Sequence, residues 1–140
     1  MTHEVFASTI QKTHELLKEI EEEFNWQDRP QQAYAALRVV LHTLRDRLTT
    51  HEIAQLGAQL PMLIRGVYYD GWKPAEKPHK YSREEFLNKI QQEFQFSIDR
   101  PIADLVRTVL QVLHKHISAG EMGDIRTILP KEFRDLLPSE

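Results

Sequence analysis

The chain predicts an all-α fold, and three observations predict it. Apolar residues recur at helical spacing along nearly its whole length, no run alternates β-branched residues as a strand would, and helix-capping signatures punctuate the pattern. These signatures also repeat. Shifting the sequence by 69 positions brings Arg38, Val40, Leu41, Leu44, Glu52, Leu60, Pro61 and Arg65 onto the identical residues Arg107, Val109, Leu110, Leu113, Glu121, Leu129, Pro130 and Arg134. Conservative matches fill the gaps, among them Leu48 with Ile117, Thr49 with Ser118, Ile53 with Met122 and Leu56 with Ile125. Self-similarity at a fixed offset marks a structural unit used twice. The expected architecture is two tandem copies of a roughly four-helix unit, packed into one compact pseudo-twofold bundle. Residues 1–140 then form a single domain, with internal repeats over 4–70 and 82–138 joined by a linker over 71–81.

Each element has a local reason. Phe6, Ile10, Thr13, Leu17, Ile20 and Phe24 fall on one face of a first helix. Asp28-Arg29-Pro30 offers an aspartate cap with proline in the first turn of a second helix, whose stripe is Ala33, Leu37, Val40, Leu41, Leu44 and Leu48. Thr49 and Glu52 form an S/T-x-x-E capping box that opens a short third helix, and Pro61 ends it while opening a fourth. Gly71, Pro74 and Pro78 mark the linker, with Lys73, Lys77 and Lys80. The pattern then repeats. A Ser82–Glu85 box precedes Phe86, Leu87, Ile90 and Phe94, and Asp99-Arg100-Pro101 precedes Ile102, Val106, Val109, Leu110, Leu113 and Ile117. Ser118 with Glu121, and then Pro130, complete the second copy. A unit of about 60 residues buries too modest a share of its surface to be stable alone, so the copies are expected to share a core.

Composition narrows the functional classes. Apolar residues make up 41% of the chain and charged residues 28%, the balance of a folded globular protein. The net charge of −3 is spread out, with −3 over residues 1–72, +2 over 73–80 and −2 over 81–140, so no basic block makes nucleic acid a default partner. The chain has no cysteine, which removes thiolate chemistry and fits a reducing compartment. No apolar run approaches the roughly 18 residues of a membrane span, and the N-terminus does not read as a secretory signal. The expected setting is the cytoplasm.

The chain resembles a bacterial family of small helical proteins, the domain of unknown function 2267. The residues that carry the resemblance are Asp28-Arg29-Pro30, Ala36-Leu37-Arg38, Leu44-Arg45-Asp46-Arg47-Leu48 and Ala58-Gln59-Leu60-Pro61 in the first copy. In the second they are Glu85-Phe86-Leu87, Asp99-Arg100-Pro101, Gly120-Glu121 and Leu129-Pro130-Lys131-Glu132-Phe133-Arg134. The resemblance covers nearly the whole chain. It implies a helical tandem-repeat fold and a bacterial cytosolic setting, and it carries no activity and no catalytic residues.

The residues offer no chemical constellation that stands above a structural explanation. Arg38, Glu52 and Arg65, repeated as Arg107, Glu121 and Arg134, read as helix caps and partners of helix-end carbonyls or carboxylates. The candidate reading helix over 50–60 has no lysine or arginine, and its counterpart over 119–129 has Arg126 alone, so specific duplex readout is not expected. Among the histidines, His42 and Asp46 have the i, i+4 spacing of helical metal ligands, but Gln111 and Lys115 replace them in the other copy. His114 and His116 point to different faces of a helix, and no metal or other cofactor is expected. No phosphate loop, dinucleotide fingerprint or nucleophile elbow occurs.

What remains is Tyr68-Tyr69-Asp70-Gly71-Trp72, with Lys73 and Lys77 beyond it. Large rigid aromatic surface of this kind is enriched where proteins bind each other, and it serves equally to cover the junction between the copies. The expected function is a non-catalytic protein-interaction or regulatory module, with Tyr68, Tyr69, Trp72, Lys73 and Lys77 as candidate contacts. The alternative is a small-molecule or metal-binding protein, an enzyme included, using a cleft between the copies lined by Arg38, Arg107 and nearby histidines. A shared core has a direct consequence: the isolated half 81–140 should unfold at a much lower urea concentration than the full chain. An equal midpoint in circular dichroism would rule the shared core out.

Overall fold

A computed structural model describes residues 3–74, 78–116, 126–127 and 129–138. Among these the chain forms six α-helices and one short 3-10 helix, with no strand. They are α1 (Glu4–Phe24), α2 (Pro30–Arg47), α3 (Thr50–Gln59), α4 (Met62–Tyr69), α5 (Arg83–Glu93) and α6 (Ile102–His114), followed by the 3-10 helix Lys131–Leu136. The fold is all-α. Among the described residues no helix is long and apolar enough to cross a membrane.

Two of the expected boundaries form as capping boxes. The Thr49 hydroxyl accepts from the Glu52 amide at 3.3 Å while the Glu52 carboxylate accepts from the Thr49 amide at 2.8 Å. Ser82 and Glu85 do the same at 3.2 and 3.0 Å. The Ser118–Glu121 box lies outside the described residues. Pro61 separates α3 from α4 as expected, and Pro130 precedes a 3-10 helix where the first copy has an α-helix.

The two aspartate caps do not form. α1 ends on Asn25 in the left-handed conformation (φ 56°), with the Trp26 amide donating to Glu21 O at 2.8 Å, the 6→1 bond of a Schellman motif. A turn follows immediately, closed by the Arg29 amide on Trp26 O at 3.0 Å, and Asp28 supplies its left-handed residue (φ 60°). Asn and Asp accept this conformation more readily than most residues. Asp28 therefore makes the reversal, and the cap position falls to Arg29, without a side-chain bond. Pro30 does occupy the first turn of α2. Before α6, Pro101 itself takes the cap position, leaving Asp99 too early to reach the amides of the helix. Asp104 in the first turn supplies the negative charge there.

α2 is the central element. It packs against α1, α4, α5 and α6, and its buried residues (Ala33, Ala36, Leu37, Val39, Val40, Leu41, Thr43, Leu44 and Arg45) extend well beyond a single stripe. α1 packs on both α2 and α6, while α5 packs on both α6 and α2. The buried apolar residues of both halves join in one cluster. At one end Phe24, Trp26 and Phe94 stack in series at 4.7 and 6.0 Å, with the Arg100 guanidinium 4.4 Å over the Phe24 ring. At the other, Arg83 pairs with Asp135 at 2.6 Å and Phe86 meets Phe133 edge-on at 5.3 Å.

α1 departs from the expected stripe. It buries Leu16 and Ile20, but Phe6 and Ile10 remain 45% and 44% exposed.

Arg45 is the most buried charge in α2, at 5% exposure. Its Nη1 donates to Tyr68 O at 2.8 Å and Asp70 O at 3.1 Å, and its Nε donates to Asp46 at 2.8 Å. Arg45→Ala leaves buried carbonyls and a carboxylate without partners and should destabilise the fold by about 3 kcal/mol. Urea denaturation measures this directly; a loss within the ordinary surface range of about 0.5 kcal/mol would show the clamp to be dispensable.

Candidate functional site

The aromatic segment is built into the fold. Tyr68 is fully buried, its hydroxyl donating to Ile53 O at 2.9 Å, and burial pushes its phenol pKa well up. The Tyr68 and Tyr69 rings meet edge-on at 4.9 Å, and Tyr69 and Trp72 at 5.4 Å. Tyr69 packs so closely over Gly57 that a Cβ there would collide with its hydroxyl and force the ring to shift. Tyr69 and Trp72 are half-buried and Lys73 is exposed, while Lys77 lies outside the described residues. The expected contact surface therefore shrinks to two aromatic edges and a lysine. Tyr68 is removed from it because its ring is needed in the core and its hydroxyl has a backbone partner.

Of the polar residues matched at the 69-residue offset, Arg65 and Glu52 serve helix ends, and Arg38 and Arg107 pair with carboxylates. Arg65 donates from Nε to Gly57 O at 2.8 Å and from Nη2 to Leu60 O at 2.9 Å, satisfying the C-terminal carbonyls of α3. Arg38 pairs with Asp70 at 2.8 Å. Its counterpart Arg107 pairs with Asp104 at 2.8 Å and Asp135 at 3.0 Å, and donates to Asp135 O at 2.8 Å. Hydrogen bonding from Arg83, then burial and Arg107, set the Asp135 carboxyl, with a net lowering below the usual carboxylate range. Glu52 caps α3, Arg134 is exposed on the 3-10 helix, and Glu121 lies outside the described residues.

Arg38 and Arg107 do not share a cleft. Arg38 lines a cavity of about 280 Å³ between α2 and α5, with His42, Arg45 and Asp46 beside it on α2, Lys89 and Glu93 opposite on α5, and Tyr81 at one edge. Arg107 lines a separate cavity of about 350 Å³ with Gln111, His114 and Lys115, against Asp135, Leu136, Leu137 and Pro138. The α6 positions of the second cavity are those of the first shifted by the repeat offset. Their chemistry differs. In the first copy His42 Nε2 donates to Val67 O at 2.6 Å, and Arg45 holds Tyr68 O and Asp70 O, so both residues clamp the end of α4. Gln111 and His114 stand at the corresponding positions of α6, and His114 Nδ1 is buried with no hydrogen-bond partner among the described residues.

A model described as an uncharacterised conserved protein family, DUF2267, matches residues 13–136. The chain belongs to this family. No curated protein matches it. The DUF2267 match covers all of α2, α5 and α6 and every residue that lines the first cavity, whereas the second cavity runs past its end to Leu137 and Pro138. Among the described residues of this DUF2267 chain, no group of three His, Cys, Asp or Glu side chains is placed to hold a metal ion. His42 and Asp46 are engaged elsewhere, by Val67 O and Arg45.

Sequence reasoning missed two features. One is Lys89 and Glu93, whose i, i+4 spacing marks a helix pair but not the helix they face. The other is an apolar surface at the start of α1 and α4. Val5 is 77% exposed and Met62 58%, and Phe6, Ile10 and Leu63 are also exposed. The Leu63 amide donates to Thr9 Oγ1 at 2.9 Å, joining the two helix starts, and Val5 and Phe6 lie on the Thr9 side of α1.

Burial, helped by Arg45 and Arg38, lowers the His42 pKa, so the imidazole is neutral in the folded state at neutral pH. The unfolded chain then binds the proton more readily. The stability that His42 contributes is fully present above its unfolded pKa of about 6.5 and declines as pH falls through that value toward the depressed folded one. The stability advantage of the wild type over His42→Gln should therefore shrink from about pH 7 to about pH 5. A constant difference in urea midpoint across that range would show that His42 is not held neutral by the fold.

Proposed function

We propose that the protein is a non-catalytic interaction module that binds another protein through the apolar surface shared by α1 and α4. The observation that carries the reading is the clustering of Val5, Phe6, Ile10, Met62 and Leu63, all exposed, around the Thr9–Leu63 hydrogen bond. Contiguous exposed apolar patches mark interaction sites, whereas single exposed apolar residues do not. The first three turns of α1 reinforce this. A helical stretch so short has little stability of its own, and only Thr9 and Thr13 there are even half-buried. Its complement is the apolar face of a helix in the partner, which would lie along Phe6 and Ile10 with Met62 and Leu63 beside it.

The same reading takes the chain as two copies of one unit in a single bacterial cytoplasmic domain. Its support is the 69-residue offset, the matching order of long helix, second helix and post-proline helix in each half, and the reciprocal packing of α1 on α6 and α5 on α2.

Affinity capture from native bacterial cytosol tests the function, followed by titration of each recovered protein, once purified, against the full chain. Phe6→Ser/Met62→Ser changes two exposed residues and should keep the wild-type circular dichroism. Binding of the purified partner should fall at least about tenfold in this variant. If every recovered protein binds the variant as tightly as the wild type, the α1–α4 surface is not the interface.

A further inference from the structure

We propose that the cleft between α2 and α5 binds a small zwitterion, a molecule that carries both an ammonium and a carboxylate, such as a free α-amino acid. This site is separate from the α1–α4 surface and does not depend on the reading given to that surface.

The charge pattern of the lining carries the inference. Arg38, Arg45 and Lys89 face the cleft together with Asp46 and Glu93, and each wall bears both signs. A simple anion entering there would meet two carboxylates, and a simple cation would meet three positive groups. A zwitterion leaves neither sign opposed, which matters because a charge taken out of water needs a partner of opposite sign. His42 adds an acceptor. Its Nε2–H is committed to Val67 O, which leaves the Nδ1 lone pair of a neutral ring.

The existing ion pairs divide into a fixed set and an exchangeable one. The Arg45–Asp46 pair is held by the buried guanidinium and its bonds to the end of α4. The Lys89–Glu93 and Arg38–Asp70 pairs, both at 2.8 Å, are solvent-exposed, with side chains 42% and 51% exposed in the first and 36% and 63% in the second. Exposed pairs are weak, so a ligand can replace one partner at little loss. In the resulting arrangement Arg38 and Lys89 take the ligand carboxylate, while Glu93 and Asp46 take its ammonium.

Size limits the class further. A volume of about 280 Å³ falls just below the usual range for drug-sized ligands, and it suits an amino acid better than a nucleotide. Tyr81 bounds the site and is itself held in place, its carbonyl accepting from Arg47 Nε at 3.0 Å and its ring stacked on His79 at 5.4 Å. One wall comes from each half of the chain, so the site requires the halves to be packed together.

Calorimetric titration of the full chain with each of the standard amino acids tests the proposal, with acetate and methylammonium as single-charge probes. At least one amino acid should saturate the protein at millimolar concentration or below, and both single-charge probes should bind at least about tenfold more weakly. Glu93→Gln should weaken the amino acid about tenfold and leave acetate unchanged, whereas Arg38→Met should weaken both. Glu93 is exposed and Arg38 half-buried, and circular dichroism confirms that the variants are folded. The proposal is overturned if no amino acid saturates the protein below about 10 mM, or if acetate binds as tightly as the best amino acid. It is equally overturned if Glu93→Gln leaves amino-acid binding unchanged.

Discussion

The buried Arg45 guanidinium is the constraint on which the first half of the molecule depends. It sits in the helix that touches four others, and it reaches across to Tyr68 O and Asp70 O at the end of α4. The last carbonyls of a helix have no partner within it, and they carry its negative dipole end. A cation held there satisfies the carbonyls and the dipole together. With His42 on Val67 O and Arg38 on Asp70, α2 directs three basic side chains at the end of α4. The Arg45 and His42 bonds bring Tyr68 into the core, where its hydroxyl meets Ile53 O and so ties α3 to α4. Arg65 closes the same corner from the other side by occupying the end of α3.

The second half carries different polar chemistry. Arg107 keeps the role of Arg38, holding an aspartate near the end of the chain, but Gln111 and His114 stand where His42 and Arg45 make their clamp. The helix after Pro130 is correspondingly a 3-10 turn, and a larger cavity lies beside it. α2 and α6 pack on each other, and the residues around the end of each of these helices differ most in chemistry. The core tolerates this because the α2–α6 and α1–α6 contacts are apolar and independent of the clamp. The α2–α5 cleft lies on the clamped face of α2, with Arg45 as its fixed floor.

The legible part of the sequence was the part governed by local chemistry. Capping boxes at Thr49 and Ser82, and the break at Pro61, follow from groups within a few residues of each other, and all three formed. Arg65 was legible as a helix-end partner because a long basic side chain near a helix terminus can reach its last carbonyls. Local chemistry misled where two local rules competed. Asp28 can cap a helix or adopt a left-handed turn, and the tight reversal after α1 took precedence. The same ambiguity affected the aromatics. Tyr68 and Phe6 both belong to apolar patterns, yet Tyr68 is fully buried and Phe6 is 45% exposed. Their spacing within a helix does not say how far the neighbouring helices extend.

By itself, then, the sequence determined the all-α class, the order of the helices it shares with the structure, several of their boundaries and the membership of the family. These follow from periodicity, capping and proline, which act over one or two turns. Only the tertiary structure decided which apolar residues are covered, which basic residues meet which carbonyls, and that Lys89 and Glu93 face Arg38 across a cleft. Those outcomes depend on the relative placement of helices far apart in the chain. That placement is set by the whole of the shared core, and no short stretch of sequence encodes it.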